Sequence, residues 1–263
     1  MNVLRLLQLT DSHLYGSESG SLRGIKTLPA LEATLAHAQG RDWPPHALLV
    51  TGDIVNDDPG GYRHFRRVLG AIGAPVLCIP GNHDEPLAMK HELHGEPFVL
   101  GGHVDLGVWR IVLLNSRVAG SAGGSLGEDD LAELEQALAS AAGRHCLVCL
   151  HHHPIDMGSR WLDGVGLANA AQFLQTIDRH GHVRAILWGH VHQSYEGERH
   201  GVRLLATPST CTQFLPGADE FALDERPPGY RRLELLADGS VLTEVVWVET
   251  HAAGSARSAF SAA

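Results

Sequence analysis

Short apolar runs that stop at clusters of Asp, His or Asn are the feature that most constrains this sequence. Runs rich in Val, Ile and Leu, bounded by turn residues, are typical of buried strands. The strands predicted in this way are Val3–Leu9, Ala47–Val50, Pro75–Ile79, Ile111–Leu114, Cys146–Leu150 and Val183–Trp188. Between them, apolar residues recur at helical spacing in Leu28–Leu35, Tyr62–Ile72, Glu128–Ala142 and Ala168–His180. Alternating strands and helices predict a mostly parallel sheet with helical crossovers.

The C-terminal part has a different pattern, because its strands follow one another without helices. The segments Arg203–Ala206, Tyr230–Leu236 and Val241–Val248 are predicted strands, and Ala237–Ser240 has the composition of a hairpin turn. A second, more antiparallel sheet is therefore expected. The fold class is α/β, a four-layer α-β-β-α sandwich in which helices flank two mixed sheets. We expect one domain over residues 1–250 and a flexible, Ala/Ser/Gly-rich tail over residues 251–263.

Charge and cysteine usage exclude several classes of protein. The net charge is -10 and no basic run is present, which disfavours a partner that is a nucleic acid polymer. Neither a secretory signal nor an apolar stretch of about 20 residues is found, so a cytoplasmic protein without a membrane partner is expected. Cys146 and Cys149 lie three apart on a predicted strand and so point to opposite faces, which favours core cysteines over a metal or redox pair.

Five predicted strand ends carry potential metal ligands. They are the stretches 10–13, 51–53, 81–84, 151–154 and 189–192. In open α/β sheets, sites form at the carboxyl ends of the strands, and joint placement at five ends is hard to explain by chance. Histidine, the commonest metal ligand, supplies 18 of the 263 residues. Nitrogen and oxygen ligands of this kind suit first-row metals such as Mn, Fe and Zn, and one shared carboxylate allows a two-metal site.

The order of these blocks resembles a known family. The succession D-x-H, G-D, G-N-H-D, H-H-H-P and G-H-x-H between Val3 and His192 is the signature of the calcineurin-like metallophosphoesterases. The stretches 7–14, 151–163, 204–214 and 228–235 are similar to its class III cyclic-nucleotide phosphodiesterase branch. That resemblance implies hydrolysis of 3′,5′-cyclic AMP as the activity and a cyclic nucleotide as the substrate that the protein binds.

The resemblance also implies a role for each residue of the blocks. It assigns the first metal to Asp11, His13 and His192, a bridging position to Asp53, and the second metal to Asn82, His151 and His190. His83 becomes a contact of the substrate phosphate and the proton donor, with Asp84 orienting it as a catalytic partner. His13, Asn82 and His192 are expected to contact substrate as well. His152 stays open as an alternative to His151, because three histidines are consecutive.

In the mechanism that the resemblance implies, a hydroxide held by the two metal ions would be the nucleophile. Metal coordination lowers the pKa of bound water to about 7, so hydroxide is present at neutral pH. It attacks phosphorus opposite the ribose 3′-oxygen, and His83 protonates that leaving oxygen to give 5′-AMP. Fe and Mn are the expected metals, and Zn also suits the ligands.

Four other questions stay open at the level of sequence. A broad-specificity metallophosphodiesterase or phosphomonoesterase would need the same ligands, and a non-catalytic metal- or nucleotide-binding regulator would not need His83. The pair Asp57–Asp58 suits either a turn or the pocket wall. Met157, Trp161 and Leu162 suit either a nucleobase cover or a packed loop. Oligomeric state, including a homodimer, cannot be read from the sequence.

Overall fold

Two six-stranded sheets carry the fold of this computed structural model, which describes residues 3–141 and 143–249. The helices are α1 (Thr27–Arg41), α2 (Gly61–Leu69), α3 (Pro86–Glu92), α4 (Glu128–Ala139), α5 (Arg160–Asp163) and α6 (Ala170–Asp178). The strands are β1 (Leu4–Leu9), β2 (Ser21–Leu22), β3 (Ile25–Lys26), β4 (Ala47–Thr51), β5 (Val76–Ile79), β6 (Phe98–Leu100), β7 (Gly102–Leu106), β8 (Trp109–Leu113), β9 (His145–Cys149), β10 (Val183–Trp188), β11 (Tyr195–Arg199), β12 (Val202–Ala206), β13 (Gln213–Phe214), β14 (Leu223–Asp224), β15 (Gly229–Leu235) and β16 (Val241–Trp247). The predicted tail 251–263 lies outside the described residues, and the domain boundaries stay a prediction.

The order of strands is β16-β15-β1-β4-β5-β6 in the first sheet and β11-β12-β10-β9-β8-β7 in the second. In the first sheet, β1, β4, β5 and β6 pair in parallel, and β15 and β16 continue it antiparallel. In the second, β8, β9, β10 and β12 pair in parallel between the antiparallel edge strands β7 and β11. Both sheets are therefore mixed, as the predicted fold class requires.

Three buried apolar clusters fill the spaces between the layers. One lies between the sheets, where Leu6 and Leu49 of the first share a cluster with Leu147 and Leu187 of the second. A second cluster packs α1 and α2 on the outer face of the first sheet, and a third packs α4 and α6 on the outer face of the second. Because each sheet buries both faces, its central strands are apolar throughout. The four-layer α-β-β-α sandwich is confirmed.

The C-terminal strands do not form a second antiparallel sheet of their own, and that expectation is wrong. The hairpin β15–β16 joins the first sheet beside β1, where Leu6 lies opposite Leu233, while β12 joins the second sheet beside β10. The predicted turn is present: Leu236 N donates to Ser240 O. A strand pattern identifies an extended, half-buried segment, but its pairing partner depends on chain far away in sequence.

The parallel strands bring the polar blocks to one edge. In the first sheet Leu9 pairs with Val50, and Thr51 pairs with Ile79, so the residues that follow β1, β4 and β5 are neighbours. β9 and β10 end at the same edge of the second sheet. Backbone bonds join the two edges, because Thr210 N donates to Thr10 O. All five predicted blocks therefore meet above the cluster between the sheets.

Candidate metal centre

Sharp backbone turns aim the polar side chains at one another. The dihedral φ is positive at Asp11 (54°), His13 (46°), Asp53 (49°), His190 (66°) and His192 (48°). This region costs an ordinary residue on the order of 1–3 kcal/mol, and such strain concentrates at functional sites. The residues at the strand ends thus adopt strained backbone conformations, and their side chains converge on one centre.

Asp11, His13 and His192 form one compact set, called here the Asp11 group. Its potential ligand atoms lie within 4.8 Å of one another, and all three residues are buried. Nε2 of His13 is 3.1 Å from Nε2 of His192, which is 3.4 Å from Oδ1 of Asp11. The Nδ1 atoms face outward: that of His13 donates to Oδ1 of Asn56 at 3.1 Å, and that of His192 donates to the Thr212 carbonyl at 2.7 Å.

This arrangement fits a cation. A neutral imidazole has one N–H and one lone pair, and in His13 and His192 the N–H is at Nδ1. Two Nε2 lone pairs therefore face each other beside the carboxylate of Asp11, with no proton between them. Burial lowers the pKa of His13 to about 4, in spite of the neighbouring Asp53, so that ring is neutral at pH 7. The two lone pairs repel each other, and a bound metal ion would replace that repulsion with coordination by both nitrogens.

Asn82, His151 and His190 are called the Asn82 group. Nε2 of His151 lies 3.2 Å from Oδ1 of Asn82, while its Nδ1 donates to the Thr51 carbonyl at 2.7 Å. The ring of His190 lies 5.0 Å from that of His151 between centroids. A carbonyl behind the ligating imidazole fixes which nitrogen carries the lone pair, as in many metal sites.

Asp53 lies between the two groups. Its Oδ2 is 3.7 Å from Nε2 of His13 and 3.4 Å from Nε2 of His151. Burial raises the pKa of this carboxyl, but His151 and His13 lower it by more, so the pKa lies well below its usual value. Gly81 permits the close approach, since a Cβ there would stand 2.2 Å from Oδ1 of Asp53. The position suits a carboxylate shared by two ions.

His152 directs one ring nitrogen to Ser116. Its Nδ1 lies 2.8 Å from the Ser116 hydroxyl, and its Nε2 is buried without a hydrogen-bond partner among the described residues. It is nevertheless part of a possible ligand set with His151 and His190. Of the two adjacent histidines, His151 is the one that contacts both Asn82 and Asp53, which supports it as the ligand.

The expected partnership of Asp84 with His83 is corrected by the structure. Asp84 is buried, and it accepts hydrogen bonds from the backbone N–H groups of residues 54, 55 and 81 and from the Tyr62 hydroxyl. Burial and the charge of Asp53 raise its pKa to about 6. The carboxylate that holds the His83 ring is Asp57, whose Oδ2 accepts from Nδ1 at 2.7 Å. Asp84 instead ties together the loops that carry Asp53 and Asn82.

His83 itself lies beside the Asp11 group. Its ring is 5.1 Å from that of His13 between centroids, and its backbone N–H donates to Oδ1 of Asp53 at 2.9 Å. Burial lowers the pKa of His83, but Asp53 and Asp57 outweigh that effect and raise the pKa above its usual value. The ring is half-exposed, so a substrate can reach it, and its raised pKa favours the protonated form.

Sequence reasoning missed several residues of the centre. Asn56 and Thr212, which fix the rings of the Asp11 group, were not among its candidates. Phe214 was also missed, although its ring stacks on His192 at 4.0 Å and an interplanar angle of 7°. Two signals were available: Asn56 and Asp57 follow Asp53 closely along the chain, and Thr212 and Phe214 lie in the stretch 204–214 that resembles the phosphodiesterase branch.

Membrane-spanning capacity is absent from the described helices: none of them is long and apolar enough to cross a bilayer. The four cysteines are buried and unpaired, and the burial of Cys146 and Cys149 agrees with their prediction as core residues.

Comparison with known proteins agrees with the geometry. Residues 4–194 match the family model of the calcineurin-like phosphoesterases. The chain is 39% identical over 245 residues to the 3′,5′-cyclic adenosine monophosphate phosphodiesterase CpdA of Pseudomonas aeruginosa, covering 93% of this chain and 90% of that protein. It is 40% identical over 244 residues to the protein of the same name from Escherichia coli K12, covering 92% and 89%.

Solved structures share the fold at low sequence identity. A dimetal phosphatase from Danio rerio superposes with a TM-score of 0.66 at 14% identity, covering 94% of this chain and 100% of that one. A purple acid phosphatase from yellow lupin gives 0.59 at 15%, covering 94% and 52%. The sandwich and the family match together lead to one conclusion: this chain belongs to the calcineurin-like phosphoesterase family.

Proposed function

We propose that this protein hydrolyses 3′,5′-cyclic AMP to 5′-AMP with two metal ions held by the Asp11 group, the Asn82 group and Asp53. The observation that carries the proposal is the similarity, close to 40% over some nine-tenths of the chain, to proteins named as cyclic AMP phosphodiesterases. The ligand geometry supports phosphoester chemistry, because Asp53 contacts both groups.

Bound metal ions would lower the pKa of a coordinated water enough to form hydroxide, the nucleophile, at neutral pH, and would place positive charge near the phosphoryl oxygens. The donor set suits Fe or Mn, with Zn as a further candidate. The chain's own contribution is to fix the ligands before substrate arrives: Thr51, Asn56 and Thr212 each accept a hydrogen bond from an outward-facing Nδ1. Preorganised ligands of this kind do not need to reorganise during the reaction.

His83 is the proposed proton donor to the departing ribose 3′-oxygen. Asp57 accepts from its Nδ1, so the second ring nitrogen, Nε2, is available for substrate. A protonated ring can then hydrogen-bond a phosphoryl oxygen and release its proton when the P–O3′ bond breaks. Such general acids contribute roughly 10²–10⁴-fold to the rate.

The experiment is an assay of the protein after chelation and re-addition of Mn, Fe or Zn one at a time. The panel contains 3′,5′-cyclic AMP, 3′,5′-cyclic GMP, 2′,3′-cyclic AMP and bis(p-nitrophenyl) phosphate. We expect the highest kcat/KM for 3′,5′-cyclic AMP, with 5′-AMP as the product. A preference for the nitrophenyl ester or the 2′,3′-cyclic nucleotide would indicate a broad phosphoesterase, and metal binding without hydrolysis would indicate a regulator.

A further inference from the structure

Three aromatic residues, Trp161, Phe214 and Phe221, form a continuous cluster beside the metal centre, called here the aromatic wall. Phe214 stacks on His192, and its backbone N–H donates to the His192 carbonyl at 3.2 Å. Trp161 packs on Phe214 and Phe221 with centroids 5.2 and 5.3 Å apart, and Phe214 and Phe221 are 5.4 Å apart. Phe221 is therefore two ring contacts from a candidate metal ligand.

The outer part of the wall is exposed. Phe221 is 43% exposed, and Leu215 and Leu223 of the same segment are 43% and 42% exposed. Apolar side chains grouped in this way beside a functional centre usually mark a binding surface. The wall is also held in place, because β13 pairs with β14 and Arg160 forms a 2.6 Å ion pair with Asp219.

A cation lies over the same ring. The guanidinium carbon of Arg23 is 4.9 Å from the Phe221 centroid. Arg23 belongs to the turn between β2 and β3, where its backbone adopts a positive φ of 49°.

From this placement we infer that the aromatic wall binds the purine base of the substrate, with Phe221 as the stacking surface. This inference rests on the proposed hydrolysis of a cyclic nucleotide. Stacking requires a flat apolar face, which Phe221 offers, and the nucleotide's negative charge favours the neighbouring Arg23. Because Phe214 joins the ring of His192 to Phe221, a phosphate at the metal centre and a base on the wall would occupy one continuous site.

A cavity of about 620 Å³ is the competing place for the base. It is lined by His153, Ala122, Asp156 and Asp163, and His153 stacks on His190 on the opposite, Asn82 side of the centre. Two carboxylates in its lining make it less suitable for an anionic nucleotide. The wall segment also carries carboxylates, but those at 219 and 224 are paired with arginines. Because the wall adds stacking area and the Arg23 guanidinium, we assign the base to the wall.

The test is steady-state kinetics of the metal-loaded protein with Phe221→Ala, Phe221→Tyr and Leu87→Ala. Leu87 is a matched control, because it is an apolar residue 78% exposed on α3. We expect Phe221→Ala to raise KM for cyclic AMP about tenfold, the scale of one lost base–aromatic contact, with kcat little changed. Phe221→Tyr should restore KM, and the control should match the parent.

A second substrate separates base binding from a structural effect. Ribose 3′,5′-cyclic phosphate without a base should show the same KM with the parent and with Phe221→Ala. An unchanged KM for cyclic AMP in Phe221→Ala would overturn the inference, as would a larger rise in Ala122→Phe, which fills the competing cavity. If the parent does not hydrolyse cyclic AMP at all, the proposed function fails and the inference with it.

Discussion

The Asp11 group and the Asn82 group differ in how their imidazoles are held. Both rings of the Asp11 group have an acceptor behind Nδ1. In the Asn82 group only His151 has one, from the Thr51 carbonyl. His190 instead lies among the rings of residues 151, 152 and 153, and its buried Nε2 has no partner among the described residues. One group is fixed by oxygen acceptors and the other partly by packing.

The protonation of the two groups differs as well. Burial lowers the pKa of His13 to about 4 in spite of nearby carboxylates. Burial also lowers the pKa of His151, but the charge and hydrogen bond of Asp53 outweigh it and raise the value to about 9. Without metal, the Asn82 group therefore stores a proton between His151 and Asp53, which a cation must displace. The Asp11 group has no such proton on His13.

Removing the carboxylate that both groups share should have the largest effect. Asp53→Asn keeps the side-chain shape but removes the charge next to His13 and His151. We expect loss of both metal ions and of measurable phosphoesterase activity. Metal content by mass spectrometry after gel filtration checks this, with Asp57→Asn as the control that should keep both ions. Two tightly bound ions in Asp53→Asn would contradict the shared position.

A substitution of His83 tests whether this residue is a metal ligand beside the Asp11 group. Its ring lies close enough to His13 and Asp53 to be a ligand, yet we propose a proton donor. His83→Ala should keep both ions and lose roughly 10²–10⁴-fold in kcat for cyclic AMP. Loss of an ion from this variant would place His83 among the ligands instead.

A substitution of Asp57, the hydrogen-bond partner of His83, tests the same role with a smaller expected effect. Asp57→Asn removes a hydrogen-bonded charge that raises the pKa of His83. The acid must be protonated to act, so activity falls as pH rises through that pKa. The variant should therefore lose activity at lower pH than the parent at equal metal content. An unshifted basic limb would mean that Asp57 does not act through His83.

A matched pair of variants tests which of the adjacent histidines is a metal ligand in the Asn82 group. His151→Ala should lose one ion, because His151 contacts both Asn82 and Asp53. His152→Ala should keep both at saturating metal, because His152 only packs its ring against those of His151 and His190 and hydrogen-bonds Ser116 instead. Calorimetric titration of both variants measures this. The reverse result would make His152 the ligand.

The sequence predicted the members of both groups better than their surroundings. Asp11 and Asp53 follow apolar runs directly, and because sites form at the carboxyl ends of parallel strands, that position alone predicts that they lie together. Asp57 lies in a turn-like segment, and its contact with His83 depends on how two loops meet. The same holds for β15, whose strand pattern is clear while its pairing with β1 is non-local. Local periodicity predicts elements and their ends, whereas contacts between loops depend on the assembled sandwich.

The smallest expected effect concerns protons released on metal binding. Below a pKa of about 9, His151 must lose its proton to bind, so affinity of the Asn82 group should rise by up to about tenfold per pH unit between pH 7 and 9. His192→Ala, which disables the Asp11 group, isolates this titration, and His151→Ala isolates the other. Calorimetry in buffers of different ionisation enthalpy counts the protons. The His13 pKa of about 4 predicts a weaker pH dependence for the Asp11 group, since His13 is already neutral at pH 7. Equal proton release by both variants would show that the two groups hold the same number of protons without metal. The groups would then differ only in the hydrogen bonds that fix their imidazoles.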